Sequence, residues 1–207
     1  MRSPLYHLAH PLLTFAGLLF VVGAPFVFLA RSDPAPFSQI ARGPAFLAGN
    51  GLTLAASFCL LLGLAGLAGH HGPGGRRMGG PAVIAGLAGA LGAAYWTAIN
   101  VFIAPWLGET APAVLNGSLY TAPFLIGWLG ATALYCVGMI WLGVSGFRSR
   151  VVPLPAAILL AIDGPVAFAL GADFPGVLAG AGLLWAGVAG LRRPAGQDDV
   201  VEPLTRA

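Results

Sequence analysis

"PLLTFAGLLFVVGAPFVFLA", residues 11–30, decides the class of this chain. The stretch carries no charged side chain. As a helix it would span about 30 Å, the thickness of a bilayer's hydrocarbon core. In lipid only a helix or a closed barrel satisfies every backbone N–H and C=O. Apolar runs of the same kind follow at 44–69, 81–106, 121–146, 152–171 and 174–191. Several open on proline (Pro11, Pro44, Pro81, Pro123), which the first turn of a helix accepts without losing a hydrogen bond. Of the 207 residues 57% are hydrophobic and 8% charged, against about 25% charged in a soluble domain. The expected fold is all-α: a six-helix transmembrane domain over 1–191, followed by a short polar tail at 192–207. The first run exceeds a signal peptide's apolar core, and "FVFLARSD" lacks an A-x-A site. It is expected to be a retained first helix.

Every basic residue is arginine, and the arginines are unevenly placed. With six helices, Arg2, Arg76, Arg77, Arg148, Arg150, Arg192, Arg193 and Arg206 share the side of both termini, while Arg31 and Arg42 lie opposite. The cytoplasmic side takes the excess, so both termini are expected in the cytoplasm; the lack of lysine and the heavy use of Ala, Gly and Pro point to a GC-rich bacterial gene, and so to an inner membrane. A net charge of +3, dispersed at helix ends, is no nucleic-acid footprint.

Within this apolar chain "LLAIDGPVAF", residues 159–168, stands out. Asp163 falls near the bilayer midplane, where an ionised carboxylate costs about 2.5–3.5 kcal/mol on insertion scales. No Lys, Arg or His lies within the apolar runs to pair with it. Pro165 should kink or break the helix by crowding the Ala161 carbonyl. Two readings follow: a proton or cation site at a helix break, or a neutral Asp that donates to a neighbouring helix or caps the second half of its own kinked helix. In either case Asp163 is expected to face the bundle interior, within reach of Asn100, Thr132 or Tyr135.

Other polar residues recur at helical spacing. Asn50, Thr53 and Ser57 share a face of the second run, Trp128, Thr132 and Tyr135 a face of the fourth, and Trp96 and Asn100 a face of the third. With Asp163 they are expected at about 9–21 Å from the external end of their helices, lining a pocket in the outer half or simply bonding helix to helix. Asp173 is a candidate N-cap for the last helix, in a tight hairpin with the fifth.

His7, His10, His70 and His71 all fall on the cytoplasmic side. Imidazole binds metals, but nothing in this spacing demands it, and no metal site or cofactor is expected. Cys59 and Cys136 form no C-x-x-C pair and are expected to be inert thiols. "NGS" at Asn116 is a formal glycosylation sequon on the external loop. "GVSG", residues 143–146, resembles the G-x-S-G of rhomboid intramembrane proteases. That family activates its serine with a membrane histidine, which these runs lack, and Ser145 sits at a helix end. Small residues at i, i+4 (Gly86, Ala90, Ala94; Gly182, Ala186, Gly190; Gly176, Gly180) let helices approach closely, within the chain or in a homo-oligomer or partner complex.

The sequence Arg148-x-Arg150-x-x-Pro153, the central Gly164-Pro165 and "GLLWAGVAGLRR" at 182–193 together resemble small six-helix bacterial membrane proteins with no assigned activity. The resemblance covers the last third of the chain and implies a fold type and location, with no site residues. Three classes of function remain: a non-catalytic packing, subunit or regulatory membrane protein; a small proton-linked carrier or permease using Asp163; and, least supported, an intramembrane enzyme, for which no nucleophile–base pair is present.

Overall fold

The computed structural model describes residues 7–67, 78–116, 122–169 and 176–192. These residues are mostly helical, with no strand among them. The helices are α1 (Ala9–Arg31), α2 (Phe37–Ile40), α3 (Pro44–Leu67), α4 (Gly80–Ala98), α5 (Ala104–Thr110), α6 (Pro112–Asn116), α7 (Ala122–Arg148), α8 (Leu154–Ala169) and α9 (Val177–Leu191). A π-helical turn, Ile99–Ile103, joins α4 to α5 in one rod, Gly80–Thr110. Ala9–Arg31, Pro44–Leu67, Gly80–Thr110 and Leu129–Arg148 are long and apolar enough to cross a membrane; α8 and α9 are shorter apolar helices.

The four long helices and the shorter α8 and α9 close a ring in the order α1, α3, α4, α7, α8, α9 and back to α1. Each contributes to one core, in which Phe20, Leu60, Leu64, Met139, Leu160 and Leu183 are fully buried. The opposite faces carry Phe15, Ile84, Phe102, Ile126 and Trp185, all more than half exposed. An apolar exterior around an apolar core is the pattern lipid selects and water does not.

Close helix approach follows from small residues at the seams. A Cβ on Gly17 of α1 would strike the backbone of Gly180 and Leu184 on α9. One on Gly138 of α7 would strike Ala85 and Gly89 of α4, and one on Gly182 would strike Ala156 of α8. The small-residue faces read from the sequence are therefore occupied by intramolecular packing. Gly86 meets Leu64 and Leu142, while Gly176 and Gly180 meet Phe20. Backbone contact at such seams gains dispersion energy without ordering long side chains.

At the far end of the ring a small cap forms around Ala41, Phe46 and Ala104. The Arg31 guanidinium stacks 4.4 Å above the Phe37 ring, which meets Phe46 edge-on. Asn116 ties this cap together: its Oδ1 accepts the Ser38 N–H at 2.8 Å and its Nδ2 donates to Ser38 Oγ at 2.8 Å. The sequon amide is thus already engaged by the protein's own loop.

Two expectations about α8 need correction. Pro165 does not break it: the helix runs on to Ala169, with the ring exposed on the outer side of the bundle. The last helix starts at Val177 instead of 174, so Asp173 is not in its first turn and lies outside the described residues.

Candidate functional site

Asp163 is 2% exposed, on the inner face of α8. Gly164 lets this part of α8 lie directly against α7, since a Cβ there would meet the Cα of Cys136 at 2.7 Å. That approach brings Tyr135, one residue earlier on α7, to the carboxylate. Its hydroxyl donates to Asp163 Oδ2 at 2.7 Å. The same oxygen accepts the Gly176 N–H at 3.2 Å, and Oδ1 accepts the Ala179 N–H at 2.9 Å.

Gly176 is the N-cap of α9 and Ala179 its third residue. The first N–H groups of a helix have no partner within it and carry the positive end of its dipole. A cap residue usually satisfies them from its own side chain. Gly176 has none, and its φ of +96° lies where a side chain is strained. Phe20 of α1 also fills the space its Cβ would take. Asp163 therefore supplies the cap from a different helix. Three donors converge on the two carboxyl oxygens, so the polar group is buried with its hydrogen bonds made.

The position of this cap matters. Gly176 abuts Phe20, about 16 Å along α1 from its end at Arg31. Tyr135 lies about 20 Å along α7 from Ala122. So α9 begins deep in the bundle, at the level where neighbouring helices are only half traversed. A helix end at that depth takes partners for its amides from within the protein, and Asp163 provides two of them.

A second polar group sits elsewhere. Asn100 Nδ2 donates to Asn50 Oδ1 at 3.1 Å, and Asn50 Nδ2 donates to the Phe46 carbonyl at 2.9 Å. Asn50 is about 9 Å from the start of α3, so this pair lies roughly 10 Å nearer that end of the bundle than the Asp163 cap. Asn100 is in the π-helical turn, where the widened backbone turns the amide inward.

Four of the polar residues grouped in the sequence make two separate hydrogen-bonded pairs, Asp163 with Tyr135 and Asn100 with Asn50. Of the three partners expected for Asp163, Tyr135 bonds it. Asn100 bonds Asn50 instead, and Thr132 is half-buried on α7. Thr53, Ser57 and Thr97 are buried, and each hydroxyl donates to a carbonyl of the preceding turn of its own helix. Trp96 is half-buried on α4; the Trp128 side chain lies outside the described residues.

His7 is exposed and His10 is half-buried, packed on Gly187 and Gly190 of α9. His70 and His71 fall outside the described residues. Among the described residues no three His, Cys, Asp or Glu side chains cluster as metal ligands. Ser145 is half-buried near the end of α7 and its carbonyl accepts from Ser149.

Three features escaped the sequence reading. The amides of Gly176 and Ala179 are invisible as ligands because they are backbone. Phe20 looks like any core residue. The Ser38–Asn116 pair joins segments 78 residues apart. The one available signal was "PG" at 175–176, a turn dipeptide that places a helix start after it. Comparison with protein-family models, curated proteins and solved structures returned no match.

Proposed function

We propose that this chain is a six-span inner-membrane protein with both termini in the cytoplasm, and that it acts without catalysis, as a packing, subunit or regulatory membrane protein. The observation that carries this reading is the complete engagement of Asp163. The most polar group in the bundle is committed to holding α9 against α7 and α8. The buried hydroxyls are likewise committed to their own helices. The shorter helices α8 and α9 run antiparallel, so the chain returns to the side it left although α9 starts at mid-depth, and the arginine bias sets the sides. Its surroundings are lipid, and any partner would meet an apolar face.

A proton-linked carrier is the second reading. It is favoured by the α9 N-terminus at mid-depth facing an acid, since transporters build sites from interrupted helices. Proteoliposomes holding an internal pH dye separate the two. Under an imposed proton gradient the wild-type protein is expected to leak no faster than empty vesicles. A flux that Asp163→Asn abolishes would replace the first reading with the second.

A further inference from the structure

We propose that the π-helical turn Ile99–Ile103 is a joint coupling the Asn50–Asn100 pair inside the bundle to the outer cap: the turn that presents Asn100 to Asn50 also sets the angle at which α5 is seated in the cap, so a change at one end is passed to the other. The joint lies apart from Asp163, and it holds whether the chain is a packing protein or a carrier.

Proline alone does not account for the turn. Pro105 lacks an N–H, and in a regular helix its ring crowds the Val101 carbonyl four residues back. Yet Pro25 lies inside α1 and Pro165 inside α8, and both helices stay α-helical. What sets Pro105 apart is that the rod is held from both sides. Within the turn, Asn100 donates to Asn50 at 3.1 Å. Beyond it, α5 is packed into the cap. Ala104 is 3% exposed beside Ala41 and Phe46, and a Cβ on Gly108 would strike the Ser38 carbonyl. The turn reconciles the two contacts. Ala104 donates to the Ile99 carbonyl, five residues back in place of four, and Pro105 has no N–H to lose by the change.

Two discrete arrangements make this a joint and not a bend. A π turn holds one residue more than the α-helical turn it replaces. Over the same residues a regular helix would carry α5 round by about 100°, one residue's share of a turn. That rotation turns Ala104 and Gly108 away from Ala41, Phe46 and Ser38. The path runs on within the cap, since the Ser38 N–H and Oγ are both bonded to Asn116. It also returns to the bundle, because Asn50 Nδ2 donates to the carbonyl of Phe46, a member of the cap cluster. An element with two arrangements, biased from both ends, is what coupling between two sites requires.

Thiol labelling in nanodiscs, where both faces are open to reagent, tests the joint. Ala104→Cys in a Cys59→Ala, Cys136→Ala background places a single thiol in the cap, and a water-soluble maleimide reads its exposure. With both asparagines intact, labelling should be slow relative to the same chain in SDS. Asn100→Ala should speed it by about threefold or more, the factor set by one interhelical hydrogen bond. The second variant is deletion of Phe102, an exposed residue of the turn. It removes the extra residue, so α4 runs into α5 as a plain α-helix with the cap still seated. Labelling should then stay slow, even when Asn100→Ala is added. In an ordinary helix the same deletion would turn α5 by about 100° and expose the thiol. Rates are read on chains that stay monodisperse in size-exclusion chromatography, and Asn100→Ala decides alone where the deletion does not fold. Fast labelling of the folded deletion variant, or equal rates with and without Asn100→Ala in the full-length turn, would overturn the joint. Neither result touches the proton-flux test in proteoliposomes.

Discussion

Asp163 Oδ1 accepts the backbone N–H of Ala179 at 2.9 Å, so a side chain of α8 serves as the cap of α9. The bond joins two helices through a group whose removal leaves buried donors unsatisfied, and that asymmetry orders the effects of substitution. Asp163→Leu strands the Gly176 and Ala179 amides and the Tyr135 hydroxyl in an apolar interior. Each unsatisfied group costs about 1–3 kcal/mol. Asp163→Asn keeps one oxygen but turns an amide nitrogen towards either Ala179 or Gly176. Tyr135→Phe removes one donor and leaves no orphaned amide. Melting in detergent should therefore rank Tyr135→Phe and Asp163→Asn between the wild type and Asp163→Leu. A Leu variant as stable as the wild type would refute the structural role.

Gly176 should tolerate no side chain. At φ +96° an alanine incurs about 1–2 kcal/mol of backbone strain, and its Cβ meets the Phe20 ring. Gly176→Ala should lower the melting temperature, and the loss should be smaller when measured in a Phe20→Leu background. Equal losses in both backgrounds would show that Phe20 does not crowd the position.

The two asparagines should behave as a coupled pair. Asn100→Leu leaves the buried Asn50 Oδ1 without its donor, at a cost of about 1–3 kcal/mol. Replacing both removes the unmet need together with the bond. A double-mutant cycle of Asn50→Leu and Asn100→Leu should give a coupling of about 0.6 kcal/mol or more. Strict additivity would mean that the amides do not depend on one another.

The architecture was legible because lipid imposes a single rule, that every backbone group be satisfied inside its own segment. Each apolar run of the sequence coincides with a helix for that reason. The inward orientation of Asp163 followed from the same energetics, and Tyr135 came within reach because it shares a depth with it. The rest was hidden for identifiable reasons. Helix period places Asn50 and Asn100 on inner faces but says nothing about which inner face meets which, so two pairs read as one group. Pro165 looked like a breaker, yet on the outer side of a packed rod the loss of one backbone bond is tolerated. The start of α9 was misplaced because the apolar residues from 174 onward run without a polar mark, and its actual cap, Asp163, lies 13 residues before Gly176 on another helix.

Topology offers the broadest test. His10, near the start of α1, packs on Gly187 and Gly190 near the end of α9, while Gly176 at the start of α9 meets Phe20 in mid-α1. The two helices are therefore antiparallel, and the first residues of α1 share an end of the bundle with the last residues of α9. Arg148, Arg150 and Arg192 lie at that same end, and Arg31 and Arg42 at the other. The positive-inside bias predicts that the end formed by the start of α1 and the end of α9 faces the cytoplasm. A reporter active only outside the cytoplasm should stay silent when fused after Ala207 and should give signal when fused after Arg42. Converting Arg148 and Arg150 to Gln removes part of the bias, so it should raise the silent signal without creating a new fold. A strong signal at the C terminus of the unmodified chain would overturn both the six-span count and the assignment of sides.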